Sequence, residues 1–203
     1  LAGETVIQFG AFSPKTLHLV SFERFVTAYR RDDLRAKLIW ATDQPNDAFR
    51  LQDIVEKIRD YLSPPSMGEE AALRRAYGNF EKAVDWFNRL QFPLQVYRGL
   101  SVGPGVRVDL SEPGRHWTPR KAIAQAFATE AHQFGPGVDG GRPVVLEGRI
   151  ETPSCVRWRE SIEQFLSFTA LQGEDPTEAE EQITSTSVSA IRVVSSSAMR
   201  RTG

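Results

Sequence analysis

The sequence is poor in cysteine, has no excess charge of either sign and contains no long apolar run. Cys155 is its single cysteine, which excludes an internal disulfide framework and any zinc site built on several thiolates. Lys and Arg number 25 against 26 Asp and Glu, a formal net charge of -1, so no global basic field draws the chain to nucleic acid or to an anionic membrane. Any nucleic-acid contact would have to be local. No window approaches the roughly 18 apolar residues of a membrane span, and no basic region followed by an apolar run marks a signal peptide. A soluble, cytoplasmic chain with no membrane partner is therefore expected. Histidine is scarce too: His18, His116 and His132 fall at no metal-binding spacing, and no metal is expected. The sequence carries no signal of oligomeric state.

What is present suffices for a buried core, since 203 residues with 40% hydrophobic and 25% charged content lie in the ordinary globular range. Residues 1–92 read as helical. Ser13 and Pro14 form a cap and first-turn pair. Phe22, Phe25, Val26 and Tyr29 recur at helical spacing, as do Phe49, Ile54, Val55, Ile58 and Leu62. The Ser63-Pro64-Pro65-Ser66 stretch breaks that second helix, and Leu73, Tyr77, Phe80, Val84 and Phe87 mark a third. These helices pack as a small bundle or wrap over a following sheet. After Phe92-Pro93 strands dominate, over Leu94–Leu100, Val144–Ile150 and Ile191–Val194. Helices are expected over 119–131, with Ile123 and Phe127 on one face, and over 160–171, and Gly135 to Gly141 forms a loop. The fold class is thus α+β, a helical N-terminal region (1–92) packed on a strand-rich core (93–203).

Three short segments carry chemistry. Val96-Tyr97-Arg98-Gly99-Leu100 sets an arginine inside an apolar strand, where a lone guanidinium is costly unless an anion meets it. Its planar fork suits phosphate or carboxylate, and Gly99 lets a ligand approach the backbone. Arg115-His116-Trp117-Thr118-Pro119 precedes a helix carrying Ala124 and Phe127. Thr118 is placed to cap that helix, Pro119 to occupy its first position, and Phe127 to hold the turn rigid by packing. Glu178-Ala179-Glu180-Glu181-Gln182-Ile183-Thr184 runs three carboxylates into a strand, and alternation puts Glu181 on the face of Ile183 and Glu180 on the other.

In this order the three segments resemble the arginine-serine-glutamate signature of the mono-ADP-ribosyltransferase family, toxin-like members included. The resemblance covers Leu94 to about Val194 and implies a split β-sheet core. It implies that Arg98, which follows Tyr97 as the family's arginine follows an aromatic, helps hold the diphosphate and ribose of NAD. The family's Ser-Thr-Ser turn ends six residues before a helix alanine; counted back from Ala124, that place is Thr118. His116-Trp117-Thr118 therefore replaces the serine turn, with His116 where the key serine would stand. Ser185-Thr186-Ser187 follows the glutamates and reads instead as a turn between strands. The family's closing motif is Glu/Gln-x-Glu with the second glutamate catalytic. Glu178-Ala179-Glu180 fits that spacing and makes Glu178 the substrate-directing residue. Glu181 fits the face argument and the distance to Ile191-Arg192-Val193, but leaves Ala179 in the directing position. Glu181 is taken as catalytic and Glu180 as its rival.

The implied activity is transfer of ADP-ribose from NAD to a macromolecular acceptor, a protein before a nucleic acid, with NAD as substrate. A glycohydrolase using the same site is the close variant, and a catalytically silent binding module the alternative from another class. Breaking the nicotinamide–ribose bond builds positive charge on the sugar, which a carboxylate stabilises. A cation orients the phosphates, and Trp117 offers an aromatic surface for stacking on a ring of NAD. Arg98, Gly99, His116, Trp117 and Thr118 are thus the expected NAD-binding residues, and Arg98, His116, Glu180 and Glu181 the expected catalytic ones.

Overall fold

The computed structural model describes residues 16–63, 67–134, 141–172 and 183–195. In chain order its elements are β1 (Leu17–Leu19), α1 (Phe22–Arg30), β2 (Lys37–Ala41), β3 (Gln44–Arg50), α2 (Val55–Leu62), α3 (Glu69–Arg89), β4 (Leu94–Val102), β5 (His116–Trp117), α4 (Lys121–Phe134), β6 (Arg142–Ile150), α5 (Trp158–Gln172), β7 (Ile183–Thr184) and β8 (Ser189–Ser195). Short 3-10 turns lie at Leu51–Asp53 and Pro153–Cys155. The described residues form a mixed α and β fold with three small antiparallel sheets, ordered β1-β2-β3, β4-β6-β8 and β5-β7.

The first expected helix is present as α1, but the all-helical character expected of residues 1–92 is wrong at β1, β2 and β3. Leu38, Ile39 and Ala41 are all buried, so β2 is covered on both faces and its apolar run lacks the alternation that separates a strand from a helix by period. Phe49 lies on β3 and not on a helix with Ile54. A 3-10 turn separates the two, anchored by the Asp53 carboxylate, which accepts the Arg50 backbone N–H at 2.7 Å. The Ser13-Pro14 pair lies outside the described residues. The second and third helices stand where periodicity put them, α2 ending at Leu62 before the proline stretch and α3 burying Leu73, Phe80, Val84 and Phe87.

The N-terminal sheet is fastened to α3 by a reciprocal pair. Leu17 N–H donates to Asn88 Oδ1 at 2.8 Å, and Asn88 Nδ2 donates to the Leu17 carbonyl at 3.0 Å. Beside it, Phe25 meets Phe80 edge-on with ring centroids 5.7 Å apart, and the Tyr77 hydroxyl donates to the Val20 carbonyl at 2.8 Å. Phe25 and Phe80, both buried, contribute roughly 1.5–3 kcal/mol each by leaving water. One buried cluster takes in Phe25, Leu73 and Phe80 from before residue 92 and Val96, Leu146 and Phe165 from after it.

The sheet β4-β6-β8 is covered on both faces. Val96, Leu146 and Ile150 join the main core, while Val145 on the opposite side packs with Ala124 and Ala128 of α4. That contact corrects the expected role of Phe127. The buried side of α4 is the alanine pair, and Phe127 is 46% exposed. Alanines let the helix come close enough that strand position 99 has no room for a side chain: a β-carbon on Gly99 would stand 2.0 Å from the Ala124 carbonyl oxygen and 2.6 Å from Ala128 N. The start of α4 is corrected as well. Ile123 and Ala124 N–H both reach the Arg120 carbonyl, which puts Arg120 at the cap, and the Thr118 hydroxyl accepts Arg120 N–H at 3.1 Å. Thr118 ties the turn leading into the helix, and Pro119 stays outside its first position.

The helix expected over 160–171 is present within α5, which buries Ile162, Phe165 and Leu166. Ser185 turns the chain between β7 and β8, its hydroxyl donating to the Cys155 carbonyl at 2.8 Å and accepting Ser187 N–H at 3.2 Å. No described helix is long and apolar enough to cross a membrane.

Candidate active site

The backbones of β4 and of the β5 segment are joined by an isolated β-bridge between Tyr97 and Thr118. Tyr97 N–H donates to the Thr118 carbonyl at 2.7 Å, and Thr118 N–H returns to the Tyr97 carbonyl at 2.8 Å. On either side β4 pairs with β6, whereas β5 pairs with β7 through His116 opposite Thr184 and Trp117 opposite Ile183. A cavity of about 310 Å³ lies beside that pair. Tyr97, Arg98 and Gly99 line it from β4, and His116, Trp117 and Thr118 from the β5 segment. Ala124 and Phe127 of α4 and Gln164 of α5 complete the wall.

Arg98 is half-buried, and its Nη1 donates to the His116 carbonyl at 2.8 Å. Its Nε is buried with no hydrogen-bond partner, and among the described residues no carboxylate forms an ion pair with it. The guanidinium lies against Gly114, whose φ of +87° only glycine adopts freely and where a β-carbon would stand 2.6 Å from Arg98 Cζ. Burial pushes the group below its ordinary pKa, though a guanidinium stays charged in a protein. A buried donor left unsatisfied costs about 1–3 kcal/mol, more for a charged group. An oxyanion in the cavity would answer the charge of the guanidinium.

His116 is exposed on the same wall. Its Nδ1 lies 3.4 Å from the Thr184 hydroxyl, Thr184 N–H donates to Ser161 Oγ at 3.1 Å, and Ser161 Oγ donates to the Arg157 carbonyl at 2.8 Å. Thr184 and Ser161 are both buried, so the partner of the imidazole is itself held in place. Partial burial, followed by the positive charges of Arg98 and Arg115, holds the imidazole below its ordinary value of 6.5, with Glu160 acting in the opposite direction. The ring is thus neutral at neutral pH.

Trp117 does not offer the stacking surface expected of it. It is 2% exposed, belongs to the main core, and spends its indole N–H on the Gly114 carbonyl at 3.2 Å. Strand alternation explains the difference, since His116 and Trp117 are neighbours on β5 and the core takes one of them. Gly99 borders the cavity, but the helix above it uses its missing side chain. Arg98, Gly99, His116, Trp117 and Thr118 are therefore brought to one wall. Glu178, Glu180 and Glu181 lie outside the described residues, which resume at Ile183, buried together with its neighbour Thr184.

Three residues of the site escaped sequence reasoning. Pro113-Gly114 is a turn signal, and that signal marks Gly114, though nothing local ties the turn to Arg98. Phe127 reads as packing because its helix is amphipathic. Gln164 has no signal beyond its place among Ile162, Phe165 and Leu166. Among the described residues no group of His, Cys, Asp and Glu is arranged to hold a metal. Compared with family models, curated proteins and solved structures, the chain finds no match in any of the three.

Proposed function

We propose that this chain cleaves the nicotinamide–ribose bond of NAD and transfers the ADP-ribose to a macromolecular acceptor, a protein before a nucleic acid. The observation that carries the reading is Arg98: a charged, half-buried side chain with an orphaned Nε, lining a cavity beside the bridge between Tyr97 and Thr118. A phosphate of NAD in that cavity answers the guanidinium charge. The order of arginine, polar turn and acidic segment, which resembles the ADP-ribosyltransferase family, supports the same reading. At about 310 Å³ the cavity is near the lower end of the roughly 300–1,000 Å³ typical of ligand pockets. One end of the dinucleotide fills it while the remainder lies along the exposed rim, where Phe127 offers an apolar surface.

The carboxylate that opposes the developing charge on the ribose is assigned to Glu181, with Glu180 as rival. Release of nicotinamide from NAD by the purified chain, together with transfer of labelled ADP-ribose to protein, tests the proposal. Nicotinamide release without transfer identifies a glycohydrolase. The absence of both in a folded preparation that binds NAD identifies a silent binding module, a reading favoured by one feature: the core absorbs Trp117 in the turn that replaces the family's serines.

A further inference from the structure

Resting on that reading, we infer that His116 takes the proton from the incoming nucleophile, so that the group receiving ADP-ribose is a hydroxyl: a serine, threonine or tyrosine side chain, or water. Among the described residues lining the cavity, His116 alone can accept a proton near neutrality. The others supply a guanidinium, hydroxyls, an amide or apolar surface. The imidazole is fixed relative to the anion-binding group because the His116 carbonyl receives the Arg98 guanidinium at 2.8 Å. It is fixed from the other side by the Thr184 hydroxyl, 3.4 Å from Nδ1, which is at the long end for a hydrogen bond. When Nδ1–H donates to Thr184, the lone pair lies on Nε2 and the ring is in the tautomer a base requires. His116 is also exposed, as a residue meeting a macromolecular acceptor must be.

A base of this strength selects among nucleophiles. A carboxylate acceptor has no proton to give. A guanidinium has no free lone pair until it is deprotonated, and it is far too weak an acid for imidazole to do that. A hydroxyl keeps its lone pair and becomes acidic only as its bond to carbon forms, which suits a neutral imidazole. In the step, the acceptor oxygen bonds to the anomeric carbon as the bond from that carbon to the nicotinamide nitrogen breaks. The electron pair of the broken bond neutralises the pyridinium, nicotinamide departs, and the acceptor proton moves to Nε2. The resulting imidazolium passes the proton to solvent. The nearby arginines disfavour the imidazolium and speed that release.

Azide tests the assignment, because it is an anionic nucleophile that needs no base. With purified protein and NAD, His116→Ala is expected to lower nicotinamide release by about a hundredfold or more. Sodium azide should restore that release and divert the product to ADP-ribosyl azide, while adding little to the unsubstituted protein. His116→Gln, which preserves size, repeats the test should the alanine variant melt early. Label transferred to protein should survive neutral hydroxylamine, which removes ester and guanidine linkages. If the unsubstituted protein cleaves NAD but the folded variants keep the same rate, or lose it without azide rescue, the role of His116 is overturned while the proposed reaction stands. Hydroxylamine-labile transfer overturns the hydroxyl acceptor. If the unsubstituted protein releases no nicotinamide, the proposed reaction and this inference fall together.

Discussion

The guanidinium of Arg98 rests on the backbone of Gly114, so closely that a β-carbon there would stand 2.6 Å from both Cζ and Nη2. The same glycine holds φ at +87° and gives its carbonyl to the Trp117 indole N–H. Gly114→Ala therefore strains the backbone and displaces the arginine together. A conformational cost of about 1–3 kcal/mol is expected, and NAD affinity should fall by about tenfold, equivalent to roughly 1.4 kcal/mol. Calorimetric titration beside a denaturant melt separates the two effects. Unchanged affinity in the folded variant would detach Arg98 from NAD binding.

Removing the arginine itself should cost more. Arg98→Ala takes away a charge-assisted contact of roughly 1.5–3 kcal/mol, so the dissociation constant for NAD should rise by about ten- to a hundredfold. Arg98→Lys is expected to recover little of this. A single ammonium cannot both donate to the His116 carbonyl, as Nη1 does now, and present a second planar donor to a phosphate. Full recovery by lysine would mean that only charge matters at this position.

These two predictions differ in how far the sequence foretold them. Arg98 was legible because an arginine in an apolar strand conflicts with burial, and a conflict of that kind marks a site. The helix α3 was legible through its long apolar stripe. The contact with Gly114 was not, because fifteen residues of chain intervene and only the fold brings them together. Trp117 was misread because a period of two says that neighbours part but not which of them faces the core. The strands β1 to β3 were missed because they are short and β2 is buried on both sides, which removes the alternation that names a strand.

Gly99 tests whether helix approach, rather than ligand approach, explains a glycine at that position. A β-carbon there meets the Ala124 carbonyl at 2.0 Å and Ala128 N at 2.6 Å, and backbone atoms of a packed helix cannot swing aside. Gly99→Ala should therefore destabilise the fold by about 1–3 kcal/mol or more, the range for overpacking, measured by denaturant unfolding. A loss of NAD affinity with unchanged stability would restore the ligand-approach reading.

Of Glu180 and Glu181, one substitution should dominate, since the family the sequence resembles has a single catalytic glutamate in this motif. Glu181→Gln keeps size and hydrogen-bonding reach but removes the charge that opposes the ribosyl cation. Nicotinamide release should fall by roughly a hundredfold or more while NAD still binds. If Glu180→Gln gives the large loss instead, Glu178 takes the substrate-directing position of the family's pattern. If neither variant nor the double variant slows an active, folded preparation, the carboxylate mechanism is wrong for this chain.

The titration of His116 supplies the last test, and its sign follows from the groups around the ring. Burial first, then Arg98 from β4 and Arg115 from the adjoining residue, lower its pKa below 6.5, while Glu160 of α5 raises it; β7 presents only the uncharged Thr184 hydroxyl. A base must be neutral to act, so nicotinamide release should be flat above pH 6.5 and fall on an acid limb displaced below that value. Stability follows the same direction. The unfolded chain binds this proton at a higher pH than the folded one, so the contribution of His116 is complete above 6.5 and is lost as pH falls toward the folded value. Two exposed charges then move the limb in opposite directions. Glu160→Gln removes the one acidic influence and should carry the limb to lower pH, whereas Arg115→Gln removes a cationic one and should carry it higher. A pH–rate profile for each variant reads both shifts. Equal shifts in one direction, or none in either, would show that the group governing the acid limb is not His116.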